Sequence, residues 1–173
     1  TEYDDRNYFD LSQASLVFKK KKWDIKLGNI YETLGRGLLL RSFEIPGALI
    51  EDIGFRSRTY FHRDLLGLSL KYKTKKATVH VLRADALNNV LPPTFARKDR
   101  RVDLVNAVSA KLEYYKKHKV GGILMNHQTA GQGDENLTSG FLEGPIAKAL
   151  NYYLEYATNV SETDRYAFYT GIN

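Results

Sequence analysis

Four histidines, His62, His80, His118 and His127, are the side chains best able to bind a metal or move a proton near neutral pH. They are spread along the chain without ligand spacing, so each reads as a surface or interior residue. The adjacent acids Asp4-Asp5 and Glu51-Asp52 could be taken for acid pairs, but neighbours in a strand face opposite ways and share no dyad. Ser12, Ser15, Ser42 and Ser57 lack a nucleophile-elbow context. With no cysteine, disulfides, thiol catalysis and thiolate metal sites are excluded. Gly131-Gln132-Gly133-Asp134-Glu135-Asn136 is a turn-rich acidic segment without the alternating oxygen ligands of a calcium loop. Asn136-Leu137-Thr138 and Asn159-Val160-Ser161 match the glycosylation sequon, a pattern frequent by chance. No catalytic residue, metal ligand or cofactor-binding residue is therefore assigned, and no enzymatic activity or cofactor is expected.

Two basic features remain. Gly35-Arg36-Gly37 suits a tight reversal or bulge, with Gly35 and Gly37 as turn glycines. A phosphate-cradling loop would need a helix to follow, and none is signalled. Lysines also cluster at Lys19–Lys22, Lys73–Lys76 and Lys116–Lys119. With Trp23, Tyr72 and Tyr115 beside them, they could suit nucleic acid. The plainer reading is that they keep hairpin turns soluble, or snorkel at a lipid headgroup layer.

The elements that must carry these residues are strands. Twelve Tyr and eight Phe against four Pro favour β-structure. From Trp23, Ile25, Leu27 and Tyr31 alternate with Asp24, Lys26 and Gly28, with Asn29 and Ile30 as exceptions. Leu66, Leu68, Leu70 and Tyr72 alternate with Gly67, Ser69, Lys71 and Lys73. The same period of two recurs in 108–115, 150–157 and 166–172. A helix over 103–117 is the main competing assignment, with Leu104, Ala107, Val108, Lys111 and Leu112 at helical spacing. The pattern predicts strands at 11–18, 23–32, 37–43, 53–61, 66–73, 77–84, 104–115, 120–128, 138–144, 149–158 and 166–173. The lysine clusters become short turns, and 88–101, 129–136 and 159–165 become long connections. All lysine turns then share one rim, provided Gly35-Arg36-Gly37 reverses the chain.

One strand parity is apolar although the mean hydropathy is −0.42. A soluble β-barrel or sandwich binding carbohydrate, a small ligand or nucleic acid would show the same dyad. Strand length, aromatic residues near strand ends and small or charged residues on the other parity favour a membrane barrel with a hydrated interior. Arg36, Arg41, Lys26, Lys71, Lys111 and Glu155 are the candidate lumen or rim residues. Net charge is only +6, and no apolar run reaches the length of a transmembrane helix.

The stretch from Leu27 to Glu44, with Gly28-Asn29-Ile30-Tyr31-Glu32, Gly35-Arg36-Gly37-Leu38 and Arg41-Ser42-Phe43-Glu44, resembles a motif of uncharacterised Bacteroidota outer-membrane β-barrel, porin-like proteins. Ile30 stands where that pattern has its first aromatic residue, and Phe43 holds its last. The close match covers 25–72. The resemblance implies a non-enzymatic barrel in the bacterial outer membrane, acting in transport as a porin-like channel or as a membrane-embedded component of an envelope complex. Its partners would be outer-membrane lipid and other envelope proteins, not nucleic acid. Members of that family are longer, with an export signal and a C-terminal strand ending on an aromatic residue. This chain opens on polar, acidic Thr1-Glu2-Tyr3-Asp4-Asp5 and stops at Asn173 within a predicted strand. The expectation is an all-β, antiparallel up-and-down transmembrane β-barrel with about 11 strands in this chain. The single segment 1–173 would be part of a longer barrel, or a piece closed by another chain.

Overall fold

The computed structural model describes residues 13–43, 61–63, 65–88, 102–131, 133–162 and 164–173. The strands are β1 (Ser15–Lys20), β2 (Trp23–Ile30), β3 (Arg41–Phe43), β4 (Phe61–Arg63), β5 (Leu65–Lys73), β6 (Ala77–Ala86), β7 (Asp103–Tyr115), β8 (His118–Thr129), β9 (Gly133–Ala147), β10 (Leu150–Asn159) and β11 (Tyr166–Ile172). The competing helix over 103–117 is β7. Nine strands form one antiparallel sheet in the order β1-β2-β5-β6-β7-β8-β9-β10-β11, so the chain runs up and down between neighbours. Among the described residues β1 and β11 are the two ends of that order, and the sheet does not close into a barrel.

Segment 37–43 was expected to join the meander. Instead the short strands β3 and β4 pair in parallel with each other, outside the main sheet. Most of 53–61 lies outside the described residues, as do the acid pairs Asp4-Asp5 and Glu51-Asp52, and Ser12 and Ser57. The expected long connection 129–136 is a tight turn, because β8 runs to Thr129 and β9 starts at Gly133. Ladder pairing continues there through Asn126↔Asn136, His127↔Glu135 and Gln128↔Asp134. Backbone pairing needs no hydropathy contrast, so these polar strand ends leave no alternation to read.

The turns follow the predicted division between the rims. Lys21-Lys22, Thr74-Lys75-Lys76, Lys116-Lys117 and Lys148-Ala149 join successive strands at one end of the sheet. The chain leaves from the other end between β2 and β5, between β6 and β7, between β8 and β9 and between β10 and β11. Lys116 and Lys117 both have positive φ, at 39° and 72°. A two-residue hairpin turn whose twist matches its strands requires this conformation, usually supplied by Asn-Gly. Replacing Lys116-Lys117 by Asn-Gly is expected to stabilise the fold by about 1–2 kcal/mol, the scale of the left-handed penalty it removes. The shift of the urea unfolding midpoint measures it.

Alternation gives the sheet two different faces. On one, Ile30, Leu65, Leu82, Val105, Ile123, Met125 and Phe141 are buried in a continuous core. The core is completed by Leu34, Leu39 and Leu40 from the segment after β2. That segment is a hairpin-like excursion: Leu34 N–H donates to Leu40 O, Ser42 N–H to Glu32 O, and Gly37 N–H to Leu34 O at its tip. The predicted reversal at Gly35-Arg36-Gly37 is this tip. It lies against Tyr153 and Glu155 of β10, six strands beyond β2 in the sheet order. The sheet must curl around the excursion to bring β2 and β10 to one object. The exceptions in the β2 alternation are explained as well. Ile30 belongs to this core, and Asn29 Oδ1 accepts from Ala14 N–H at 2.7 Å.

The other face is apolar and open. Leu27, Leu66, Leu68, Val79, Val81, Val108, Leu112, Val120, Leu124, Leu142, Leu154, Tyr156 and Phe168 are all exposed there, Leu124 to 65% and Phe168 to 61%. The Leu66–Tyr72 stretch of β5 extends about 20 Å along the strand at about 3.3 Å per residue.

Candidate functional site: the inward face and its cavity

The inward face is divided along the strands. Towards the long connections it is the apolar core just described. Towards the lysine turns it is charged: Lys26 of β2, Lys71 of β5, His80 of β6, Lys111 of β7, Lys119 of β8 and Glu143 of β9 share this face by register. The small and charged residues expected along this parity therefore occupy one end only. Leu82, Val105, Ile123 and Met125 occupy the other end at the inward parity.

The charges are arranged in three groups. Glu32, just past β2, accepts from Lys26 Nζ at 2.6 Å and from Lys71 Nζ at 3.3 Å. Glu143 Oε1 accepts from Lys111 Nζ at 3.2 Å and Lys119 Nζ at 3.1 Å. Glu155, 1% exposed, accepts from the Arg36 backbone N–H at 3.0 Å, Ser139 Oγ at 3.0 Å and Tyr153 Oη at 2.7 Å. The Arg36 guanidinium lies 5.1 Å from the Tyr153 ring centroid. Gly35, with φ of 59°, packs so closely here that a Cβ would lie 2.7 Å from both Glu155 carboxylate oxygens. Only glycine offers both the backbone conformation and the missing side chain.

Ser69 Oγ and His80 Nε2 are 2.8 Å apart, with Glu32 Oε1 at 3.5 Å from the serine. A nucleophilic triad needs the acid on the far ring nitrogen of the histidine. Here the carboxylate approaches the serine instead, and Ser69 is 1% exposed. The group reads as a buried polar network tying β5 and β6 to Glu32.

Burial would raise the Glu32 carboxyl, but the Lys26 hydrogen bond and the Lys71 charge outweigh it and hold it below the ordinary carboxylate range. A carboxylate depressed in the folded state contributes stability above its unfolded value, and that contribution is lost as pH falls through the folded one. The unfolding midpoint is expected to fall as pH drops below about 4.3, the free Glu value. Glu32→Gln should flatten that part of the profile, as denaturant titrations at stepped pH would record.

Between the excursion tip and the lysine turns lies a cavity of about 480 Å³. Arg36, Phe141 and Tyr153 line its inner end, Lys71, His80, Lys111 and Lys119 its wall, and the Thr74–Lys76 turn its outer end. Of the residues singled out from the sequence, Arg36, Lys71 and Lys111 line this cavity, while Lys26 and Glu155 hold the elements around it. Arg41 is exposed on β3 and does not line it. Glu32, Ser69, Glu143 and Tyr153 were not singled out, although Ser69 had been placed on the charged parity of its strand, and Lys119 was named only within the third lysine cluster. The signal available was that each shares, or directly adjoins, the parity that carries Lys26, Lys71, Lys111 and Glu155.

Outside, at the lysine end, aromatic rings gather. Trp23 and Tyr72 have centroids 4.6 Å apart, and His118 sits against Tyr114, Tyr115 and Tyr152 with Nδ1 3.1 Å from the Tyr152 hydroxyl. At the opposite end of the outer face the apolar rows give way to polar ones. Arg83 Nη1 donates to Asn106 Oδ1 at 2.9 Å, and Asn126 Nδ2 to Asn136 Oδ1 at 3.0 Å. Among the described residues no cluster of three or more His, Asp or Glu side chains could hold a metal ion. Among the described residues, too, no helix is long and apolar enough to cross a membrane, which says nothing of strands. No family model matches the chain, and no curated protein matches it.

Proposed function

We propose that this chain forms part of a non-enzymatic outer-membrane β-barrel, seated in lipid through the outer face of its sheet. The observation that carries this reading is the outer face itself. An apolar band runs across the sheet from Leu27 to Phe168, bordered by aromatic rings at the lysine rim and by Arg83, Asn106, Asn126 and Asn136 at the other edge. Contiguous apolar surface of this extent is foreign to a soluble monomer. Lipid on that face, headgroups at the aromatic edge and water beyond the polar row would satisfy every part of it. The resemblance over residues 25–72 points the same way.

Of the two roles expected for such a barrel, the packed interior favours the component of an envelope complex over the open channel. The excursion carrying Leu34, Leu39 and Leu40 fills the inward face at the long-connection end. A soluble ligand-binding β-barrel is the second reading, favoured by that same inner core, but it leaves the outer band facing water. Detergent extraction of the full-length protein, followed by gel migration with and without boiling, separates the two. The membrane reading expects a detergent requirement and a heat-dependent shift. A folded β-rich monomer that stays in solution without detergent overturns it.

A further inference from the structure

The cavity carries an imbalance that the surrounding ion pairs do not remove. Lys111 and Lys119 both bind the same oxygen of Glu143, so each ammonium commits one of its three donors and two cations share one carboxylate. Lys71 is likewise one of two lysines on Glu32. Arg36 adds a guanidinium at the inner end, its charge over the Tyr153 ring rather than on an acid. Lys73, Lys75 and Lys76 stand at the outer end. Seven cations thus line a space whose carboxylates are Glu113 and Glu143. Walls of one sign around a confined volume focus the field and concentrate counter-ions.

We infer that this cavity binds a small polyanion, a solute carrying several phosphate or carboxylate groups, which enters past the Thr74–Lys76 turn. At about 480 Å³ it has the size of a small-molecule site. Lys111, Lys119 and Lys71 supply the inner donors, Arg36 a planar one at the closed end, and the lysines of the turn steer the anion in. The inference rests on the proposed barrel for the side from which the solute arrives, and on the inward face alone for the site. The blocked inner end makes it a binding pocket rather than a transit path.

The test is calorimetric titration of the full chain in detergent micelles at low ionic strength, with inorganic tripolyphosphate in one arm and citrate in the other. Saturable one-to-one binding is expected. The triple variant K111Q/E143Q/K119Q, which removes the two lysines together with their shared carboxylate, should weaken it at least tenfold, and the exposed pair K75Q/K76Q a few-fold with a shallower salt dependence. Saturation by only one of the anions assigns the phosphate or the carboxylate class. Absence of saturable binding to either, or a triple variant within twofold of the parent, overturns the proposal. Circular dichroism and the boiling shift confirm that each variant is folded. A protein that shifts on boiling yet binds neither anion defeats the pocket alone. One that binds but needs no detergent defeats the membrane reading and leaves the pocket standing.

Discussion

Leu142→Arg is expected to destabilise the protein in lipid vesicles by about 2–4 kcal/mol, whereas Asn136→Arg, six residues away on the same face of β9, should cost about 0–1 kcal/mol. Leu142 is 39% exposed on the outer face, between Val120 of β8 and Leu154 of β10. In the proposed orientation its side chain meets lipid tails within the apolar band, where a guanidinium has nothing to solvate it. Asn136 lies in the polar row with Asn126 and meets water or headgroups. If the outer face were hydrated, both changes would be ordinary surface substitutions, within about 0.5 kcal/mol of neutral. The contrast between the two positions, read from urea unfolding in vesicles, therefore carries the information. Equal midpoints for the two variants would end the membrane assignment of this face.

The second large effect is expected at Glu155. Its carboxylate is the common acceptor for the Arg36 backbone N–H, Ser139 Oγ and Tyr153 Oη. Glu155→Ala leaves all three donors beside an apolar void, and each buried donor without a partner costs about 1–3 kcal/mol. Partial relaxation and entry of water reduce the sum, and a net loss of about 3–5 kcal/mol is expected, the range found when one partner of a buried charged group is removed. Glu155→Gln keeps one acceptor oxygen and should cost about 1–3 kcal/mol. Because the tip is held here, the Arg36 amide should also exchange with solvent more than tenfold faster in Glu155→Ala. Unchanged protection of that amide would show that the excursion is held by its leucines and not by the carboxylate.

Much of this architecture was legible because alternation is a local property. Leu66–Tyr72 and the 103–115 segment announce strands by their own side chains, and the lysine clusters mark the turns between them. Parity even sorted Lys26, Lys71, Lys111 and Glu155 onto one face. What alternation cannot say is how the sheet bends, and so which groups on that face meet. Glu32 sits in a connection, and its tie to Lys71 crosses 39 positions. The start of β9, from Gly133 to Asn136, was lost because it is polar on both faces. The parallel pairing of β3 with β4 was lost because three-residue strands leave too few positions to show a period. The inner apolar core went unread for a different reason. Stretches such as Val79–Leu82 have one polar residue among apolar ones, and a strand with apolar partners on both faces resembles one with a single apolar face plus exceptions.

The contact between Arg36 and Glu155 joins residues 119 apart in the chain. The excursion emerges early, after the second strand, while its anchor belongs to the tenth. During folding it must wait, with Leu34, Leu39 and Leu40 exposed, until the intervening strands have paired and brought β10 round. Loop closure over such a span is slow and gains nothing until it is complete. The excursion therefore acts as a gauge of assembly: it seats only on a sheet whose strands from β2 to β10 have added in register. A one-residue slip in any intervening pair would turn the Glu155 side of β10 outward and leave the tip without an acceptor. Seating of the tip and correct pairing from β2 through β10 are in this way a single event.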